Sequence, residues 1–264
     1  MRQAEQRRQT RERDADVARE TILRAALDIF ASRGFSGARV DDIAEAAGYN
    51  KALIFHYFSD KLGLYQTLVT RMKGDITARM ADNLAQFEHD GDLARDAAGM
   101  AALFTSCARM IFDYYVTHPD LCRMMQWEVA EGWHTFSACP LPGGNPQWPK
   151  RILKLIRDAQ GAGVIRADIA PELPMMLCTS VPLAILGSLR RFELIFGEQP
   201  YASPQTLELA REQIAAVLVQ GMLTPGALTA SVTTTSATST ATSTATTSAT
   251  TQGEGEGDND ATGV

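Results

Sequence analysis

Hydrophobic side chains recur at helical spacing through most of the chain. Ile22, Leu23, Ala26, Leu27, Ile29 and Phe30 stand three, four and seven apart, the stripe one helix face offers a core, and Gly34 supplies a C-terminal stop. A second helix is expected from about Arg39 to Ala47, with Val40, Ile43, Ala44 and Ala47 inward and Asp41, Asp42 and Glu45 outward. Gly48 gives the turn, and Asn50 is a good N-cap for a third helix running to about Tyr57. Two short helices across a Gly-containing turn form a helix-turn-helix. Ser59 or Asp60 then caps a helix bearing Leu62, Leu64, Tyr65, Leu68, Val69 and Met72.

The same period predicts helices at 61–87, 95–117, 120–132, 147–161, 172–197 and 205–222, divided by Pro- and Gly-containing breaks. No segment alternates with period two. The expectation is an all-α chain of about nine helices, with an N-terminal three-helix domain over 19–66 and a helical domain over 67–224. Residues 1–18 are charged and poor in large apolar groups, so a flexible arm is expected there, with a helical extension as the alternative. From 225 to 264 the chain collapses to Thr, Ala and Ser and then to an acidic Gly-rich end, a composition that cannot build a core and predicts disorder.

Composition narrows the function classes. With 264 residues and 45% hydrophobic content a sizeable core is available. The four cysteines, Cys107, Cys122, Cys139 and Cys178, form no CxxC pair, which points to reduced thiols rather than a zinc ribbon or redox motif. The longest uncharged apolar run, Pro174 to Leu189, is short of the roughly 20 residues that span a bilayer, so it is expected as a buried helix. No secretory signal is visible, and a cytoplasmic protein without membrane contact is expected. The net charge of −6 is unevenly spread. Residues 1–73 hold 13 Lys/Arg against 10 Asp/Glu, whereas 74–225 hold 12 against 17. A polyanion should therefore meet the N-terminal third.

Candidate chemistry begins on the third helix. Ile54 and Phe58, four apart, belong to its packed face, which leaves Lys51, Ala52, Phe55 and His56 outward, with Leu53 and Tyr57 at the edges. A cation and a helix N-terminus suit phosphate, a small residue permits close approach, and an imidazole reaches a base edge or a phosphate. Lys61, one helix later, is placed to hold the same phosphate strand, and Arg39 stands before the second helix as a further cation. A lone Glu131-x-x-His134 is not the doubled motif a di-iron bundle needs, and His118 with Cys122 makes at most half a metal site. No P-loop, GxGxxG or GxSxG fingerprint is present, so neither a metal, a cofactor nor an enzymatic activity is expected.

The stretch ILRAALDIFASRGFSGARVDDIAEAAGYNKALIFHYFSDKLGL, from Ile22 to Leu64, resembles the DNA-binding domain of the TetR (tetracycline-repressor) family. The resemblance implies a homodimeric transcriptional regulator, usually a repressor, on a palindromic double-stranded operator. Its helical C-terminal domain would bind a small-molecule effector and dimerise through its last two helices. It further implies DNA contacts from Lys51, Ala52, Leu53, Phe55, His56, Tyr57 and Lys61, to which the cation of Arg39 is expected to add a phosphate contact. Phe55 stands where the family usually has Tyr, Leu53 where Ser or Thr is common, and Arg39 where a Ser/Thr cap is usual. A ligand-independent architectural DNA binder is the rival, distinguished by little operator preference and steep salt dependence.

The C-terminal domain is less legible. Phe104, Phe112, Tyr115, Met124, Met125, Trp127, Trp133 and Phe136 make a Met/aromatic cluster around 104–136. They are either ordinary core or the wall of a pocket for an apolar or aromatic ligand, with Glu128, Glu131 and His134 as polar anchors. The pocket residues expected are Phe104, Phe112, Met124, Trp127, Glu128, Glu131 and His134.

Overall fold

Burial of the first apolar stripe organises the N-terminal domain. In the computed structural model, which describes residues 1–88, 92–140, 147–197 and 202–227, helix α1 spans Arg2–Gly37. Ile22, Ala26 and Phe30 are fully buried on it, and truncating a ring such as Phe30 in a packed core costs about 3–5 kcal/mol. Residues 2–18, mapped from the sequence as a flexible arm, are the outer half of this helix. The arginines and glutamates spaced along it, with the Arg8–Glu12 pair at i, i+4, are good helix formers even without packing.

Gly34 breaks α1 as expected, with φ +67°, but one further turn to Gly37 follows it. A β-carbon at Gly34 would also meet the Trp127 indole at 3.0 Å, so both the dihedral and the close approach require glycine. Helix α2 (Val40–Ala47) ends on Gly48 in the left-handed region, and α3 (Lys51–Phe58) begins where the Asn50 side chain accepts from the Leu53 N–H at 2.8 Å. Asp60 does the same for α4 (Lys61–Phe87), accepting from Gly63 at 2.7 Å. Gly63 is pressed onto the Phe58 carbonyl, which a β-carbon would meet at 2.1 Å.

The second domain is a helical bundle built on α4. A 3-10 turn at Leu93–Arg95 precedes α5 (Ala97–Thr117), followed by α6 (Pro119–Ala130), the single turn α7 (His134–Ser137) and α8 (Trp148–Gly161). Helices α9 (Leu173–Phe196) and α10 (Pro204–Met222) complete it. The predicted helices from 61 onward match these bounds to within two residues. The exception is α7, which four residues make too short to show a period. The only strand-like pairing among the described residues is an isolated bridge between Ile165 and Leu223.

One expectation about α9 is corrected. It was expected to be buried, yet only Pro174, Cys178, Pro182 and Leu183 are buried on it. By length and composition alone this helix would suffice to cross a membrane. It packs against α5, α6 and α10 on one side and leaves Met176, Leu194, Ile195 and Phe196 exposed on the other. Leu209 and Val217 of α10 are exposed too, Val217 at 69%. The run is apolar all round: one side serves the core, while the other is left uncovered by the described residues. The tail from 228 onward lies outside the described residues.

Candidate functional site

The two-helix unit α2–α3 presents its residues as their spacing predicts. Ile54 and Phe58 are 0% and 4% exposed on the side where α3 packs against α2 and α4, while Lys51, Ala52, Phe55 and His56 face solvent and Leu53 and Tyr57 are half-buried at the edges. The Lys51 ammonium lies 2.9 Å from Asp41 and 5.8 Å from the centre of the Phe55 ring. Such an exposed pair is worth little and leaves the ammonium free to exchange onto a phosphate. Arg39 is exposed at the N-cap of α2 without a side-chain capping bond.

Lys61 stands apart from this face. Its ammonium donates to the Phe35 and Ala38 carbonyls at 2.9 and 3.1 Å and lies 4.5 Å from the Phe35 ring centre. Two of its three N–H bonds thus hold the α1–α2 turn.

A cleft of about 1000 Å³ opens in the C-terminal domain between α4, α5, α6, α7 and α9. Met72, Ile76, Ile111, Met125 and Leu183 make apolar walls, and Trp133 and Phe136 stand edge to face with ring centres 5.2 Å apart. Thr77, Gln126, Thr179, Ser180 and Ser188 supply polar points. Lys73 is the one charged group among the lining residues. Its side chain is buried, with Nζ 2.7 Å from the carbonyls of both Phe136 and Cys139 and 3.9 Å from the Phe136 ring centre. Burial holds the Lys73 amine below its ordinary pKa, against the opposing fields of Cys139 and Glu128.

None of the seven residues expected from the sequence to form a pocket lines this cleft. Phe104 and Met124 are core, as is Phe112, all buried at 2% or less. Trp127 lies on the N-terminal domain instead, its indole N–H donating to the Ala31 carbonyl at 3.2 Å. Glu128 is 1% exposed and fully used: one carboxylate oxygen accepts from the Tyr65 hydroxyl at 2.5 Å, the other from the Phe136 N–H at 2.9 Å. Glu131 ends α6 half-buried, and His134 is exposed at the start of α7.

Tyr115, Met125, Trp133 and Phe136 of the wider aromatic cluster do reach the cleft. Sequence reasoning missed Lys73, although a lysine beside Met72 in the inward stripe of α4 was a readable signal. Among the described residues no cluster of potential metal ligands occurs. The His118 ring stacks on Tyr114 with its Nδ1 2.8 Å from the Tyr114 carbonyl, and burial pushes the Cys122 thiol up to about 11.

A second groove of about 710 Å³ follows α5; of its charged groups, Arg109 pairs with Glu212 and Asp113 with Arg211, while the Arg79 guanidinium lies 5.6 Å from the Tyr114 ring centre. Two connections lead from the rim of the first cleft to the N-terminal domain. One runs from Phe136 through Glu128 to Tyr65, whose ring meets Phe30 and Phe35 edge-on with centres 4.9 and 5.1 Å apart. The other runs along α6 to Trp127, seated on Gly34.

Comparison with known proteins accords with this division. Residues 22–68 match the family model described as bacterial regulatory proteins, tetR family, and residues 101–218 match the tetracyclin repressor-like C-terminal domain. The transcriptional regulator AcuR of Cereibacter sphaeroides is 31% identical over 163 residues, which cover 60% of this chain and 70% of that protein. The HTH-type transcriptional repressor SCO4008 of Streptomyces coelicolor is 29% identical over 175 residues, covering 66% and 81%. In fold, the chain is similar to the ketosteroid transcriptional regulator KstR2 of Mycobacterium tuberculosis, with a TM-score of 0.54 at 21% identity over 78% of this chain and 95% of that one. The outward face of α3 and the bundle behind it are thus the two halves of a known plan, and the chain belongs to the TetR family of DNA-binding transcriptional regulators.

Proposed function

We propose that the protein is a dimeric cytoplasmic repressor that binds a palindromic operator and leaves it when a small molecule enters the cleft of the C-terminal domain. The observation that carries the reading is the face of α3: Lys51, Ala52, Phe55 and His56 exposed together on a helix anchored by fully buried neighbours. Lys51 and Arg39 take phosphates, while Ala52, Leu53, Phe55, His56 and Tyr57 form the groove-facing surface, where His56 reaches a base edge. Lys61 acts by fixing the turn that sets α2 against α1, with one N–H left for a phosphate.

The exposed apolar side of α9 and α10 supports the dimer, because a second copy would cover it isologously and set the spacing of the two recognition helices. The bond from Glu128 to the Phe136 N–H supports ligand control. A ligand that moves Phe136 acts on Glu128 and Tyr65, and release follows if it binds better to the geometry that misfits the groove.

The test is to retain fragments of sheared genomic DNA on the purified protein at near-physiological salt and to sequence them. One or a few palindromes are expected. Uniform recovery from protein shown by denaturing mass spectrometry to carry no small molecule would overturn the reading in favour of an architectural binder.

A further inference from the structure

The charge of the cleft bears on what it binds. Among the described residues Lys73 is the one charged residue lining it, and no aspartate or glutamate shares the walls. The Glu128 carboxylate, bonded to the Tyr65 hydroxyl and the Phe136 N–H, acts on Lys73 through its field but makes no ion pair with it. Lys73 therefore has two neutral carbonyls and an aromatic face around its ammonium but no acid within ion-pair distance among the described residues. Burying a cation without a directly paired acid is unfavourable, and a ligand that excludes the remaining water makes it more so unless that ligand brings the anion. A cationic ligand is repelled, whereas a carboxylate completes the site. The walls around the lysine are aliphatic, methionine and aromatic, and Thr77, Gln126 and Ser180 are the polar groups left to orient a second carboxylate oxygen.

Resting on the reading of this cleft as the effector site, we infer that the effector is an organic carboxylic acid: one carboxylate paired with Lys73 and an apolar or aromatic body held between Trp133, Phe136, Met125 and Leu183. Lys73 then has two jobs. Its bonds to Phe136 and Cys139 hold the α7 turn, and its charge selects the acid. Because the carboxylate competes for the ammonium that also grips Phe136, ligand arrival is felt at the residue bonded to Glu128.

The experiment uses the full chain and matched probes: decanoate, 4-phenylbutyrate and phenylacetate against their methyl esters, by titration calorimetry at neutral pH. The expected result is that at least one acid binds ten-fold or more tighter than its ester. That preference should fall below threefold in Lys73→Gln and persist in Lys73→Arg, with ester binding by Lys73→Gln reporting an intact cleft. An ester that binds as tightly as its acid, or a preference unchanged by Lys73→Gln, overturns the inference. The cleft-filling variant Ala184→Trp separates the two levels. If it abolishes binding of acid and ester alike while no acid preference exists, the effector cleft stands and the carboxylate assignment falls. If no probe binds, or binding ignores Ala184→Trp, the inference fails, and in the latter case the cleft also loses its claim to be the effector site.

Discussion

The Tyr65 hydroxyl donates to Glu128 across 2.5 Å in the interior where the linking helix α4 meets α6. Tyr65→Phe removes the donor and leaves a buried carboxylate oxygen without it, at an expected cost of about 1–3 kcal/mol, or roughly 2–10 °C in Tm for a chain of this size. Glu128→Leu removes the acceptor too, and the Tyr65→Phe/Glu128→Leu double variant should be less destabilised than the sum of the singles. Thermal unfolding of the three variants checks the coupling, and additive losses would show that the pair is not a unit.

Lys51 and Lys61 separate by readout. Lys51→Ala should weaken binding to all DNA sequences alike, lower the salt slope by about 1 and leave Tm within about 0.5 kcal/mol equivalent, because its partner Asp41 is exposed. Lys61→Met should lower Tm as well, since the Phe35 and Ala38 carbonyls lose their donor. An affinity loss for Lys61→Met at unchanged Tm would restore it to a purely phosphate role. His56→Ala should instead change the preferred operator sequence, measured by reselecting bound fragments.

How far these assignments were visible beforehand varies with the distance between the residues concerned. Asn50 and Asp60 were legible as caps because each bonds an N–H three residues away, and the outward face of α3 followed from Ile54 and Phe58 being four apart. Glu128 was misread as a ligand anchor because its partner Tyr65 lies 63 residues away and no local pattern announces it. Trp127 belongs to the same class: its docking on Ala31 and Gly34 joins two domains. The cleft depends on α4, α6, α7 and α9 meeting, and a stripe of Met and aromatic residues does not say which of its members face the gap.

Gly34→Ala should destabilise through two independent causes, the positive φ and the 3.0 Å approach of Trp127, together about 1–3 kcal/mol. Trp127→Phe removes the indole N–H bond to Ala31 and should cost about 1 kcal/mol while reducing the effect of effector on DNA affinity. Denaturant unfolding gives the first quantity and operator titration with and without effector the second; full coupling in Trp127→Phe would exclude this contact from the relay.

The alkaline limb of stability should be tyrosine-controlled. Burial and the Glu128 bond raise the Tyr65 hydroxyl above its ordinary 10, and burial pushes Tyr114 up to about 12. A raised pKa in the folded state means the native form holds the proton that the unfolded chain gives up. Stability from these groups is therefore complete below pH 10 and falls as pH climbs beyond it. Lys73, shifted down, contributes with the opposite sign: its burial is least favourable at neutral pH and eases as pH rises toward its ordinary value. Tyr65→Phe should flatten the decline of Tm between pH 10 and 12, and an unchanged slope would assign it to other groups.

Leu194→Glu or Val217→Arg, each on the exposed apolar side of α9 or α10, should give a monomer by light scattering with Tm changed by about 0.5 kcal/mol equivalent or less in that monomer. Operator affinity should fall steeply, since a single recognition helix reads only one half-site. A dimer that persists in both variants would place the interface elsewhere.

The first helix combines two kinds of stability. From Ala18 onward it is held by a core, but Arg2, Arg7, Arg8, Arg11 and Arg13 ride on a stretch exposed to water, so its order there follows helix–coil statistics and not the cooperative melting of the domain. Warming shortens such a segment from its free end one turn at a time, long before anything unfolds. Whatever these five guanidinium groups do, they do it from a scaffold whose length is set by temperature and ionic strength, a graded dial attached to an otherwise two-state machine.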